Sequence, residues 1–198
     1  MIISRTPLRI SFVGGGTDIK SFYSKSFGKV LNTSIDKFLY VIVKRQIGIV
    51  QYKFRINWST VEFCHNIEEI KHPIAREVLK YFKIGFPIEI TTISDIPASS
   101  GLGSSSSFAV GLINAILALL KIHKTKYQIA SLASKIEIDI LKRNIGKQDH
   151  FAATYGNLNI FKFYPNEKVE IIPVYYGNKT RELIENNILL FWTKISRN

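Results

Sequence analysis

Cysteine is nearly absent from this chain: Cys64 is the only one among 198 residues, and there are just four histidines. One thiol cannot close an internal disulfide framework, and a single cysteine with four scattered imidazoles offers no zinc-ligand spacing. Cys64 therefore reads as a small buried hydrophobe in a reducing compartment. Long apolar runs are missing too. The longest, Phe108 to Leu120, is interrupted by Asn114 and falls short of the ~20 residues that span a bilayer. The start, Met1-Ile2-Ile3-Ser4-Arg5, lacks the charged, apolar and small-residue regions of a signal peptide, so the cytoplasm is the expected location. Neither G-x-x-x-x-G-K-[ST] nor G-x-G-x-x-G occurs; Ile19 follows Gly14 and Gly16, and Ser106 follows Gly101 and Gly103, where a third glycine would stand. Internal repeats and low-complexity tracts are absent as well. Acidic residues are scarce, 15 against 27 Lys and Arg, for a net charge of +12. That balance favours anionic partners such as nucleotides, sugar phosphates or nucleic acid. The excess is dispersed, with no block of five or six basic residues, which equally fits a solvated basic surface.

What is present is a chain that is 46% hydrophobic, enough for one sizeable core. Its organising stretch is Ile96-Pro97-Ala98-Ser99-Ser100-Gly101-Leu102-Gly103-Ser104-Ser105-Ser106-Ser107. Gly101 and Gly103 admit turns and close approaches closed to other residues, and the serines can cap the helix that follows. Backbone N–H groups at that helix start would face an anion, favoured by the helix dipole. A flexible linker is the alternative, but the apolar helix from Phe108 abuts the loop without a spacer.

Upstream, Ser4 to Val13 reads as a strand ending at Gly14-Gly15-Gly16-Thr17-Asp18, where a sharp turn is required; Thr17 or Asp18 could equally cap a short helix through Lys25. Gly28 to Ile35, Phe38 to Arg45, Val50 to Ile56 and Thr60 to Cys64 read as strands. His72-Pro73 opens a helix to Phe82, with His72 at its surface or cap. A strand from Phe86 to Ile93 leads into the loop, and helices follow over Ser104–Lys121 and Thr125–Leu141. A helical turn around Asp149 to Thr154 precedes strands over Asn157–Phe163 and Val169–Val174. A helix over Lys179–Asn187 and a buried strand over Ile188–Trp192 complete the pattern. The expectation is an α+β domain with helices on one sheet face.

Three acids stand out. Glu137 and Asp139 lie on a helix otherwise carrying apolar residues, and Asp149 follows in Ile145-Gly146-Lys147-Gln148-Asp149-His150. Phosphoryl transfer needs Mg²⁺ to neutralise phosphate charge and a group to position or deprotonate the acceptor hydroxyl. A loop hydroxyl and one carboxylate could hold the metal, with a second carboxylate as base. Equally, the three acids could offset Lys135, Lys142 and Lys147 at the surface.

Three stretches together resemble the GHMP kinase family. They are Thr6 to Asp18, the N-terminal substrate motif in its sugar-kinase form; Pro97 to Ser107, the P-x-x-x-G-L-G-S-S phosphate loop; and Gly146-Lys147-Gln148-Asp149 preceded by Glu137. The Gly-Gly-Gly-Thr-Asp form, Gly-Lys-Gln-Asp and Ile70-Lys71-His72-Pro73 together resemble the branch acting on D-glycero-D-manno-heptose 7-phosphate. The resemblance implies a ribosomal-S5-domain-2-like α+β fold, helices packed on a mixed or antiparallel sheet. It implies that Asp149 and Arg9 are catalytic and that Ser105 and Glu137 are magnesium ligands. Pro97, Ser99, Ser100, Gly101, Leu102, Gly103, Ser104, Ser105 and Ser106 would cradle ATP. Gly15, Gly16, Thr17, Asp18 and Lys147 would bind the sugar, with Lys147, Arg5 and Lys20 as alternative clamps for its phosphate. The implied reaction is ATP-dependent phosphorylation of the anomeric O1 to the 1,7-bisphosphate. The partners expected are ATP, Mg²⁺ and a small sugar phosphate, without membrane or nucleic acid.

Two departures accompany the match. Lys142-Arg143-Asn144 replaces a Gly-Glu-Pro-like turn, and His150 replaces glutamine. The family's third, glycine-rich motif is also missing, since only Gly177 follows Gly156. Residues 1–198 are thus expected to be an N-terminal, ATP- and substrate-binding domain without its C-terminal partner. The alternatives are another GHMP sugar kinase of galactose or fucose type, a basic S5-like nucleic-acid-binding module, and an inactive sugar or nucleotide sensor.

Overall fold

The long strand β2 (Gly28–Arg45) is the spine of the sheet. In the computed structural model, which describes residues 1–97 and 100–191, β1 (Ile2–Val13) runs antiparallel along one side of β2 from Ile2↔Val43 to Val13↔Leu31. On the other side, β5 (Ile88–Ser94) pairs with Leu39–Arg45 and β6 (Leu158–Phe163) with Gly28–Thr33. Beyond β5 come β3 (Phe54–Asn57), parallel to it, and β4 (Val61–Cys64). Beyond β6 lies β7 (Val169–Pro173). The sheet is therefore mixed, in the order β4-β3-β5-β2-β6-β7 with β1 against β2.

The two strands expected at Gly28–Ile35 and Phe38–Arg45 are one. Pro7 pairs with Phe38 and Arg9 with Ser34, so four residue steps on β2 (38 − 34) oppose two on β1 (9 − 7). The polar break at Asp36-Lys37 is absorbed as a bulge. A bulge leaves the ladder continuous, and no local pattern distinguishes it from a turn.

Helices α1 (Lys20–Tyr23), α2 (Pro73–Tyr81), α3 (Ser104–Leu120), α4 (Lys126–Ser134), α5 (Gln148–Tyr155) and α6 (Asn178–Asn187), with a 3-10 turn over Ile67–Glu69 and a π-helical segment after α4, complete the described elements. The α3 helix is apolar nearly all round, as a central helix must be, burying Phe108, Ala109, Leu112, Ile113 and Ile116 against Val41, Val43 and Ile90. Its closest approach to the sheet is at Gly111, where a Cβ would lie 2.8 Å from Thr6 Oγ1 and 3.1 Å from Val41. A second cluster of Tyr23, Val30, Phe151, Phe161, Phe163 and Val169 lies beneath α5.

Two further expectations are corrected. The helix read over Thr125–Leu141 is α4, opened by a Thr125–Gln128 capping box, followed by a π-helical segment, Lys135–Ile140. Its wider turn is carried by Leu141 N–H donating to Ile136 O at 2.9 Å. The final run is not a buried strand among the described residues: Leu189 and Phe191 are about four-fifths exposed, at 80% and 79%. An apolar run becomes a strand only where a sheet edge receives it, and no described strand pairs with Ile188–Phe191. Trp192 lies outside the described residues.

Candidate active site

The phosphate-loop candidate forms its helix start by backbone geometry. Gly101 and Gly103 both adopt left-handed φ, +78° and +80°, the conformation that glycine tolerates and other residues resist. Gly103 is the N-cap of α3 and no side chain among the described residues caps the helix, where the sequence offered its serines for that role. The serine hydroxyls have other work. Ser107 Oγ donates to Pro7 O at 3.0 Å, tying the helix to β1, while Ser105 Oγ donates to Glu137 Oε2 at 2.7 Å. The Ser100 hydroxyl is buried and has no partner among the described residues. Ser104 and Leu102 are half-buried, Ser106 is buried and Pro97 is exposed. Ser99 lies outside the described residues.

Arg9, on β1, joins that loop to Asp149. Its Nε and Nη2 donate to Asp149 Oδ1 and Oδ2 at 2.7 and 2.8 Å. This bidentate fork fixes both distance and orientation of the carboxylate. Its Nη1 donates to Gly101 O at 2.9 Å and its backbone N–H to Leu102 O at 3.1 Å. A Cβ on Gly103 would stand 3.4 Å from both Arg9 Cγ and Asp149 Oδ2. The loop, the arginine and the aspartate are therefore one packed unit, assembled across 140 residues of sequence.

Asp18 forms the other wall. It is buried, and accepts from Gly16 N (3.1 Å), Gln148 N (3.0 Å) and Gln148 Nε2 (3.3 Å). Burial raises its carboxyl above the usual range, and the charge of nearby Asp149 adds to the rise, against the hydrogen bonds from Gln148 and Gly16. Gly15 and Gly16 are exposed, and a Cβ on Gly16 would meet nothing within 4 Å. Thr17, by contrast, uses its hydroxyl inside the turn, against Gly14 O and Lys29. Lys147 is engaged with Glu167.

Glu137 is fully buried in the π-helical segment. Burial would raise its carboxyl, but His150 Nε2 at 3.1 Å, Ser105 and Arg143 outweigh it and hold the group at about 2. The His150 ring is fully buried, and its Nδ1 has no partner among the described residues. Nε2 is therefore the nitrogen that carries hydrogen toward Glu137. Arg143 Nη1 lies 2.5 Å from Ser105 Oγ and 2.7 Å from Glu137 Oε2, in the wedge between them. Asp139 is exposed and takes no part in this arrangement. A hydroxyl and a buried carboxylate are hard oxygen donors that suit Mg²⁺, which takes few protein ligands and keeps waters or phosphate oxygens for the rest. The donor set thus fits the ion, with the Arg143 guanidinium as the resident cation beside it.

Beside the loop, His72 accepts from Ala75 N at 3.3 Å as the N-cap of α2. Its ring lies 4.7 Å from that of Trp58 and 4.5 Å from that of Phe108. Buried Glu62 anchors this corner by accepting from Trp58 Nε1 (2.7 Å), Lys71 N (2.5 Å) and His72 N (3.1 Å). Burial pushes the His72 imidazole down to about 4.

Sequence reasoning missed Arg143, Gln148, His150 and Glu167 as site residues. Gln148 and His150 flank Asp149 and could have been found there. Arg143 showed only as a departure, and Glu167 in the β6–β7 turn gave no local signal.

Fold and site together define an α+β domain with a glycine-turned helix start beside a clamped aspartate. Residues 68–157 match the family model for the GHMP kinases N terminal domain. D-glycero-alpha-D-manno-heptose 7-phosphate kinase of Campylobacter jejuni is 34% identical over 205 residues, covering 99% of this chain and 60% of that protein. Mevalonate kinase of Saccharolobus solfataricus is 28% identical, covering 81% and 51%. Among solved structures, a D-glycero-D-manno-heptose 1-phosphate kinase from Bacteriodes thetaiotaomicron superposes with a TM-score of 0.81 at 25% identity, covering 90% of this chain and 61% of that one. A putative sugar kinase from Campylobacter jejuni gives 0.72 at 29%, covering 92% and 58%. The chain spans about half to three-fifths of these relatives' lengths. Among the described residues, no helix is long and apolar enough to cross a membrane.

Proposed function

We propose that this chain is the ATP- and acceptor-binding N-terminal domain of a cytoplasmic sugar-phosphate kinase. The reaction is transfer of the γ-phosphoryl group of ATP to the anomeric O1 of D-glycero-D-manno-heptose 7-phosphate, giving the 1,7-bisphosphate. The observation that carries the reading is the Arg9–Asp149 fork locked to the phosphate loop. In this reading the clamped carboxylate meets the acceptor hydroxyl beside the γ-phosphate held by the loop.

The chemistry follows from positioning. Phosphoryl transfer has a loose transition state, so alignment and charge stabilisation supply most of the acceleration. Backbone N–H groups at the start of α3 hold the triphosphate. Asp149 accepts the hydrogen bond of the acceptor hydroxyl and takes its proton as the bond to phosphorus forms. Arg9 keeps that carboxylate aimed and adds positive charge beside the transferred group. Asp18 accepts hydrogen bonds from the sugar hydroxyls in the open space left by Gly15 and Gly16. Ser105 and Glu137 would hold Mg²⁺, which when bound neutralises charge on the β- and γ-phosphates. Arg143 must leave the wedge for that ion to enter. The covered share of the relatives supports a second domain completing the nucleotide site in the full-length kinase.

An ATP-dependent phosphorylation screen across heptose 7-phosphate, galactose, fucose and mevalonate tests the assignment. Heptose 7-phosphate should be turned over best. Preference for galactose or fucose would move the chain to another sugar kinase of the same family, and no sugar turnover would refute the reading.

A further inference from the structure

Glu167 stands in the β6–β7 turn with a left-handed φ of +67°, outside the strand ladder, and its carboxylate gathers three donors. Lys20 Nζ lies 2.9 Å from Oε1, Tyr23 OH donates to Oε2 at 3.0 Å, and Lys147 Nζ bonds Oε2 as well. The Lys147 ammonium also lies over the Tyr23 ring, 5.1 Å from its centroid. These groups border a cavity of about 320 Å³ that Ser131 and Ser134 also line. Exposed Asp139 is the other acid at its edge.

The placement is specific. Lys20 follows Asp18 by two residues and Lys147 precedes Asp149 by two, and the Lys147 backbone N–H donates to Asp18 O at 3.3 Å, so the backbone that carries both lysines also carries the two acceptor carboxylates. Lys147 is largely covered, its side chain 15% exposed. A surface ion pair needs one cation, is worth little and rarely buries it. Here two cations and a phenol converge on one carboxylate, and over the whole cavity the ammonium groups of Lys20, Lys135 and Lys147 against the carboxylates of Glu167 and Asp139 leave one positive charge uncompensated. A phosphate monoester dianion balances both ammonium charges and offers an oxygen to each of the three donors. Burial and the Glu167 charge push the Tyr23 phenol up, which keeps it a donor.

We infer that Lys20, Lys147 and Tyr23 form the subsite for the acceptor's own phosphate monoester, with the Glu167 carboxylate as an internal stand-in that leaves when the phosphate enters. The inference rests on the sugar-phosphate kinase reading and names the residues that read the phosphate end of the acceptor. Glu167 then sets a threshold: an acceptor without a phosphate cannot displace it.

The test has two arms. In the kinetic arm, the ratio of kcat/KM for heptose 7-phosphate to that for unphosphorylated heptose is compared among the unaltered protein, Lys20→Met/Lys147→Met and Glu167→Gln. Charge-assisted contacts to phosphate are worth roughly tenfold or more each. The double lysine variant should therefore lower the ratio at least tenfold, and Glu167→Gln should raise it several-fold by removing the competitor. In the binding arm, methyl phosphate is titrated with a non-hydrolysable ATP analogue saturating the phosphate loop. The backbone amide resonances at positions 20, 147 and 167 should shift in the unaltered protein, and should stay still in the double variant. Turnover with an unchanged ratio and no amide shift overturns the subsite and leaves the kinase reading standing. Amide shifts without turnover of any acceptor uphold the subsite and overturn the kinase reading.

Discussion

Gly146→Ala is a one-methyl change with a calculable consequence. A Cβ on Gly146 would lie 1.8 Å from Asp18 Oδ2, 2.2 Å from its Cγ and 2.7 Å from its Oδ1. No rotamer freedom relieves this, because the Asp18 side chain is buried and held by Gly16 N–H and by two donors of Gln148. The carboxylate must shift by more than 1 Å, giving up hydrogen bonds worth roughly 1.5–3 kcal/mol each to a charged group. Overpacking itself costs about 1–3 kcal/mol. Since relaxation recovers part of both, we expect a loss of about 3 kcal/mol, or a Tm lower by about 6–12 °C for a chain of this size. Urea unfolding and thermal melts read the loss. The decisive comparison is the double-mutant cycle with Asp18→Ala: once the carboxylate is gone, Gly146→Ala should cost under ~1 kcal/mol. An equal cost with and without the Asp18 side chain would refute the steric argument, as would a single-variant cost under ~0.5 kcal/mol.

Further outcomes follow from the same geometry. Arg143→Gln removes the cation wedged between Ser105 and Glu137 and should tighten Mn²⁺ binding in the presence of an ATP analogue by tenfold or more, read by electron paramagnetic resonance; unchanged or weaker binding would show that Arg143 does not compete for the site. The His72 imidazole is held by burial at about 4 in the folded chain, against an ordinary 6.5. A depressed folded value means that its stabilisation is complete above pH 6.5 and is lost as the pH falls toward 4. Unfolding free energy should therefore decline across that window, and His72→Gln should flatten the decline; an identical pH profile in the variant would sink the assignment.

Much of this structure could be read from the chain because its strongest signals are local. The loop from Pro97, the apolar helix from Phe108 and the strand from Phe86 each declare themselves within a dozen residues, and Gly101 and Gly103 mark the left-handed turns before the helix. Glu137 drew notice as an acid among apolar neighbours, and burial is what that pattern encodes. The alternative of three surface acids holds only for Asp139. What escaped was long-range or irregular. The bulge that makes one strand of Gly28–Arg45 exists because β1 is shorter there by two residues, which nothing in β2 announces. The π-helical segment repeats the apolar spacing of an α-helix closely enough to be read as one. Arg143 and Glu167 matter through partners 38 and 20 residues away, and Thr17 looks like a sugar contact until Lys29 is seen to occupy its hydroxyl.

In the proposed mechanism Asp149 orients and deprotonates the acceptor while the loop holds the nucleotide independently. Asp149→Asn keeps the shape of the side chain and removes its charge, so the direct measurement is ATP-analogue affinity and phosphoryl-transfer rate for this variant in the full-length kinase. Nucleotide affinity within about threefold of the unaltered protein and a turnover reduced by at least roughly 10²-fold is the predicted pair of results. Turnover that survives the substitution would contradict it.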